Sequence, residues 1–93
     1  MLKVNEYFDG KVKSIALENC DGNSTVGVMV PGDYEFGTSK IEYMNVVSGA
    51  LTVLLPGKEE WETYKKGETF IVQANQKFKV QVKETTAYLC TYK

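Results

Sequence analysis

The 93-residue chain holds 11 lysines, no arginine, no histidine and 12 acidic residues, for a net charge of −1. That balance argues against a scaffold that grips nucleic acid through its phosphates. The missing histidine excludes His-ligated metals and a histidine general base. Without arginine there is no bidentate guanidinium capture of phosphate. Apolar residues make up 43 % of the chain, enough for a packed core in one domain over 1–93. Cys20 and Cys90 form no CxxC and read as free thiols. The opening Met1-Leu2-Lys3-Val4-Asn5-Glu6 has no apolar export core, and no run approaches membrane-spanning length. The expected setting is the cytoplasm, with no membrane and no nucleic acid as partner.

In chain order, Val4, Tyr7 and Phe8 fall at i, i+3, i+4 before Gly10, which predicts a single helical turn closed by glycine. Lys11 to Leu17 alternates as a strand. Glu18 to Ser24, centred on Asp21-Gly22, is turn chemistry. The β-branched run Thr25 to Val30 predicts a buried strand, and Pro31-Gly32-Asp33 a turn. Tyr34 to Thr38 is again a strand. Tyr43 to Leu55 is too rich in Val, Thr and Gly for a helix and divides at Ser48-Gly49. Pro56-Gly57 turns, and Trp61 to Tyr64 is a short strand. Lys65 to Glu68 turns again before the strand Phe70 to Gln73. Asn75 suits a turn with positive φ. Lys77 to Lys83 puts Phe78, Val80 and Val82 inside, and Ala87 to Tyr92 puts Tyr88, Cys90 and Tyr92 on one face. Eight or nine short strands with turns this frequent predict an all-β, antiparallel sandwich or barrel.

Two glycine-bounded stretches, Gly32 to Gly49 and Gly67 to Phe78, resemble the two motifs of the cupin superfamily. Gly32 opens the first. Thr38 and Lys40 fall at its histidine positions, and Glu42 stands seven residues before Gly49. The gap between Lys40 and Glu42 is shorter than the usual pattern. In the second motif Gly67 matches, and Phe78 falls where the third histidine is expected. The resemblance implies a cupin-like (RmlC-like jelly-roll) β-barrel without the cupin metal site. Metal-dependent dioxygenase or isomerase chemistry is disfavoured by the missing histidines.

A closer resemblance runs nearly end to end. Asn5-Glu6-Tyr7-Phe8, Gly10 to Ser14, Val26 to Val30, Ser48 to Leu51, Val53 to Pro56 and Tyr88-Leu89-Cys90 are similar to the small cupins called pyrimidine/purine nucleoside phosphorylases. The resemblance implies phosphorolysis of several ribonucleosides to free base and ribose 1-phosphate by a homodimer. Inorganic phosphate is then a co-substrate and no cofactor is required. Where such proteins carry Pro-Gly-His in the second motif this chain has Gln73-Ala74-Asn75. Where they carry Arg in the last strand it has Thr91.

Phosphorolysis passes through an oxocarbenium-like sugar, as glycoside cleavage does. It needs a grip on the ribose hydroxyls, a counter-charge for phosphate and a surface for the base. Glu42 is the carboxylate candidate. It is expected to face the barrel lumen, where a carboxylate must find donors. Lys13 and Lys40 are the candidate phosphate cations, residues that otherwise serve as surface lysines. Thr38 and Ser48 can add hydroxyl donors, and Ser48-Gly49 backbone N–H groups, although that pair is also simply a tight turn. Tyr34, Phe36, Phe78, Tyr88 and Tyr92 are candidates for stacking on the base, and Met44 for packing on sugar or base. Most aromatics at alternate strand positions fill cores instead. Cys90, with no partner base in view, reads as packing. Two other functions fit the same residues: a non-enzymatic cupin that binds a sugar or nucleotide, and a dimerisation domain using Val46 to Leu55 as its interface.

Overall fold

In the computed structural model, which describes residues 2–20 and 22–93, no helix forms and ten strands account for the fold. They are β1 (Val4–Tyr7), β2 (Val12–Asn19), β3 (Gly22–Met29), β4 (Gly32–Gly37), β5 (Glu42–Ser48), β6 (Ala50–Leu54), β7 (Glu62–Lys65), β8 (Thr69–Val72), β9 (Lys77–Val82) and β10 (Thr86–Tyr92). They make a six-stranded sheet, β1-β2-β3-β10-β5-β8, and a four-stranded sheet, β4-β9-β6-β7. Every pairing is antiparallel. From β3 onward each connection except β6–β7 carries the chain from one sheet to the other. The result is the jelly-roll wrapping of a cupin-like fold.

The barrel is not closed. Among the described residues no strand ladder joins the two sheets, which face each other across a shared apolar core. The reason lies in the turns. Crossings at Val30-Pro31, Gly49, Lys66-Gly67 and residues 83–85 reverse the chain within a few residues, so strands pair inside a sheet and not around a corner.

Alternation decides what is buried. In β9, Phe78, Val80 and Val82 point inward and the lysines outward, as the spacing predicts. β5 and β6 divide at Gly49 (φ 91°), and Asn75 adopts φ 60°, both as expected. Val46, Leu51 and Val53 of the Val46 to Leu55 run are wholly buried in the core, while Val47 is exposed. Burial of such side chains is the main favourable term in folding, at about 1.5–3 kcal/mol each.

Three local expectations change. Val4 to Phe8 is not a helical turn. Val4–Tyr7 pairs with β2, and the chain reverses through a left-handed turn in which Phe8, Asp9 and Gly10 have φ of 54, 58 and 83°. The pairing of four backbone residues with a neighbouring strand outweighs a spacing too short to nucleate a helix. The turn expected over 18–24 is not one: Glu18 and Asn19 already pair with Asn23 and Gly22 as strand, and Asp21 lies outside the described residues. The run from Thr25 to Val30 is only half buried, with Val26 and Val28 facing outward.

Two threonines fasten the crossings. Thr38 Oγ1 donates to Gln73 O at 2.6 Å and accepts from Gln76 N at 3.0 Å, tying the β4–β5 loop to the β8–β9 turn. Thr86 Oγ1 shares its one hydrogen between the carbonyls of Ala50 and Glu84, at 2.9 and 2.8 Å, and accepts from Ala50 N at 3.1 Å. It lies fully buried against Gly49.

Candidate active site

A cavity of about 270 Å³ opens between the two sheets, just below the usual size range for small-molecule sites. One wall is aromatic. Phe36 (β4) and Phe78 (β9) lie 5.6 Å apart and tilted, and Phe8 meets Phe36 edge-on at 5.6 Å. Phe8 reaches this place because of its turn. A bulky residue at positive φ is strained, and such strain persists where surrounding contacts hold it. Here the contacts are Phe36 and Tyr34, the latter 5.0 Å from Phe8.

The other wall is polar and comes from the six-stranded sheet. Glu42 and Met44 project from β5, Tyr88, Cys90 and Tyr92 from β10, and Ser14 from β2. Register explains the grouping. Tyr92 pairs with Glu42, Cys90 with Met44, and alternate residues share the inner face. Tyr7, Met29, Glu35 and Gly37 complete the lining.

Tyr88 lies flat because of Gly27. A Cβ at position 27 would stand 2.5 Å from the Tyr88 Cζ and Oη atoms, so only glycine lets the ring cross β3. The ring then reaches toward Ser14, which pairs with Gly27 from the other side and lines the same cavity. Burial pushes the Tyr88 hydroxyl up to about 12, so it stays a neutral donor.

Glu42 is half-buried, and burial holds its carboxyl above the usual carboxylate range, opposed by a hydrogen bond from Cys90. Burial, followed by the charge of Glu42, pushes the Cys90 thiol up to about 12. The thiol therefore remains protonated and serves as a donor, not a nucleophile.

Of the residues singled out in the sequence, Glu42, Met44, Phe78 and Tyr88 meet in this cavity, as do Phe36 and Tyr92. The others stand elsewhere. Lys13 points to the opposite face of β2, where its Nζ lies 3.4 Å from Glu6 Oε1. Thr38 is committed to the loop fastening. Lys40 is exposed in the β4–β5 loop, and Ser48 is exposed at the end of β5. Tyr34 donates its hydroxyl to Val30 O at 2.6 Å and supports Phe8 from behind.

Sequence reasoning passed over Tyr7, Phe8 and Ser14, and took Cys90 for packing. The available signal was the Phe8-Asp9-Gly10 run, read as a helix end and in fact a hairpin turn. The histidine-rich metal centre of cupins does not fit these side chains. Phe78 is a buried ring at one ligand position, and the Thr38 hydroxyl at another is bonded to main chain.

Fold and cavity together define a small cupin-like β protein with a carboxylate and a wall of rings facing one pocket. The fold is similar to that of an RmlC-like cupin from Shewanella frigidimarina, with a TM-score of 0.77 at 16 % identity over 98 % of this chain and 82 % of that one. A Vibrio parahaemolyticus protein of unknown function is similar at a TM-score of 0.94 and 49 % identity, covering 97 % of this chain and 96 % of that one. The family model described as pyrimidine/purine nucleoside phosphorylase matches residues 2–92. Proteins of that name from Pseudomonas putida (strain W619) and Pseudoalteromonas atlantica are 62 % and 63 % identical. The first match covers all of this chain and 99 % of the relative, the second 99 % of each. The chain belongs to the pyrimidine/purine nucleoside phosphorylase family.

Proposed function

We propose that this protein is a nucleoside phosphorylase that cleaves purine and pyrimidine ribonucleosides with inorganic phosphate, giving free base and ribose 1-phosphate in the cavity between the sheets. The observation that carries the reading is the half-buried Glu42 carboxylate facing a wall of rings, in a chain of this family. The rings of Phe8, Phe36 and Phe78 offer faces to a base, and a ring face does not discriminate among base edges. Glu42 accepts hydrogen bonds from the ribose hydroxyls. That grip tightens as positive charge develops on the sugar, which is the condition for lowering the barrier.

Among the described residues no lysine lines the cavity, so phosphate meets hydroxyl donors first: Ser14, Tyr7, Tyr88 and Tyr92. Lys40 is our candidate counter-charge. It sits in the short loop 38–41, whose flanking residues Gly37 and Glu42 both line the cavity. The reaction runs without metal or cofactor in this reading, in keeping with the side chains that stand at the cupin ligand positions. Turnover unchanged by a chelator is the expected result.

The proposed assembly is a homodimer through the outer face of the six-stranded sheet. Val4, Ile15 and Val26 form one cross-strand row there, with Val28 beside them, each 40 to 55 % exposed. Sedimentation at micromolar concentration is expected to show twice the chain mass, and a monomer would refute it. An exposed free Cys20 suits the reducing cytoplasm, the proposed compartment.

The deciding experiment incubates the pure protein with inosine, uridine and adenosine, with and without inorganic phosphate. Base release that depends on phosphate is expected. No base from any of the three, or equal release without phosphate, sinks the reading.

A further inference from the structure

The loop 38–41 carries the chain from β4 in one sheet to β5 in the other, and its flanking residues Gly37 and Glu42 both line the cavity. Both ends of this loop are bonded to main chain. At the far end the Lys93 N–H donates to Ile41 O at 2.8 Å, one step past the Tyr92–Glu42 pair of the β10–β5 ladder. At the near end Thr38 spends every polar group it has on the turn 73–76. Its N–H donates to Gln76 O and its carbonyl accepts from Asn75 N, both at 2.9 Å. Its hydroxyl donates to Gln73 O at 2.6 Å and accepts from Gln76 N at 3.0 Å. Asn75, at φ 60°, shapes the turn so that two consecutive N–H groups meet one residue. Thr38 is buried, so water competes poorly for these bonds.

Between the two anchors stand only Ser39 and Lys40, both exposed. A two-residue arch with both feet bonded has little freedom to swing. The root of Lys40 is therefore held beside the cavity, although its side chain does not line it. Among the described residues Lys40 has no ion-pair partner, which leaves its charge for an anion.

Two of the four bonds at the near foot belong to the Thr38 hydroxyl. We propose that Thr38 is a positioning residue of this site: its hydroxyl fixes the arch 38–41 and so holds Lys40 where inorganic phosphate enters beside Glu42. Glu42 is less dependent on this clamp, because its main chain pairs with Tyr92 on one side and Val72 on the other. The role of Lys40 rests on the phosphorylase reading; the hold of Thr38 on the arch does not.

Two measurements on Thr38→Val, which keeps the shape and removes both hydroxyl bonds, test this. The first is nitrogen-15 relaxation of the Ser39, Lys40 and Ile41 amides without substrate. Order parameters of about 0.85 are expected in the parent and below about 0.6 in Thr38→Val, with Thr38→Ser returning toward the parent. Amides that stay rigid in Thr38→Val, or are already mobile in the parent, overturn the proposal. So does a serine variant that behaves like valine, since the methyl group would then explain Thr38. Should Thr38→Val not fold, Asn75→Ala, which strains the same turn, decides by the same measurement: amides as rigid as the parent's overturn it.

The second measurement is steady-state release of base from inosine with phosphate varied. KM for phosphate should rise about tenfold in Thr38→Val, with KM for inosine nearly unchanged. In a Lys40→Ala background the same change should add less than about twofold, because the residue through which it acts is gone. Additive effects, or an equal rise in KM for inosine, overturn the assignment to Lys40. A parent protein that releases no base refutes the phosphorylase reading and leaves the relaxation result to judge the clamp.

Discussion

The two walls of the cavity are built by different rules. The β4–β9 wall is rings on rings: Phe8 on Phe36, Phe36 on Phe78, and Phe78 on Phe70 behind it at 6.2 Å. Its shape is set by packing, and it offers a ligand faces and no hydrogen bonds. The β5–β10 wall is polar, and its shape is set by register: Tyr92 stands opposite Glu42, Cys90 between Thr25 and Met44, and the Tyr92 hydroxyl lies 3.1 Å from that of Thr25. Among the described residues no buried side-chain polar atom lacks a partner. A polar wall survives inside a sandwich because each group satisfies the next. What this wall offers a ligand is the accepting capacity of Glu42 and the hydroxyls beside it. One wall therefore suits a base and the other a sugar.

The largest expected effect breaks the polar wall at its end. Glu42→Gln keeps the shape and removes the charge. If the carboxylate grips the ribose mainly in the transition state, catalytic efficiency falls by at least about two orders of magnitude, roughly 3 kcal/mol. Glu59→Gln, on an exposed turn, should be nearly silent. A folded Glu42→Gln protein that releases base at the parent rate would leave the wall without a role.

Next in size is Gly27→Ala, which attacks the polar wall from behind. The new Cβ must displace the Tyr88 ring, and Tyr88 then leaves Ser14 or enters the cavity. Overpacking of this kind costs about 1–3 kcal/mol, readable as a shift of the urea midpoint. Adding Tyr88→Ala removes the clash, so the two changes should couple strongly in a double-mutant cycle. Additive costs would show that the ring does not lie where the structure puts it.

Phe36→Leu sharpens the aromatic wall. It keeps an apolar side chain and loses the face. KM should rise about tenfold for purine and pyrimidine nucleosides alike, roughly 1.4 kcal/mol, with kcat nearly unchanged. A change confined to one class of base would mean that this wall reads edges by some other group.

The walls were unequally legible in the sequence. Strand alternation placed Phe78 inside, and the resemblance of Gly32 to Gly49 to the first cupin motif pointed to the carboxylate. Both signals lie within one short stretch of sequence, which folding leaves intact. Phe8 was hidden because i, i+3, i+4 spacing at a chain end is indistinguishable from a strand that turns back by a left-handed bend. Cys90 was hidden for a different reason. Its partners lie on other strands, 48 residues from Glu42 and 65 from Thr25 in the sequence, and only the β3–β10–β5 register brings them together. Strand patterning left sandwich and barrel both open, since hydrogen-bond closure depends on which edges meet.

The smallest effect is the one that separates structure from catalysis at Glu42. Burial raises its carboxyl above the unfolded value despite the Cys90 donor. A carboxyl raised on folding binds its proton more tightly in the native state. The native state is thus favoured below the unfolded carboxylate range, and this contribution is lost as pH rises through the folded value. At neutral pH the ionised Glu42 therefore costs stability that a neutral amide at the same position would not. The Glu42→Gln protein is expected to melt at a higher temperature than the parent at pH 7. Its advantage should shrink on acidification and vanish once Glu42 is protonated in both states. Thermal melts of the two proteins from pH 4 to pH 8 decide the matter. An advantage that does not change with pH would mean the carboxylate is solvated and carries no burial penalty. An advantage that fades toward acid, alongside the loss of turnover, would identify Glu42 as a charge kept in the polar wall for its chemistry and against the stability of the fold.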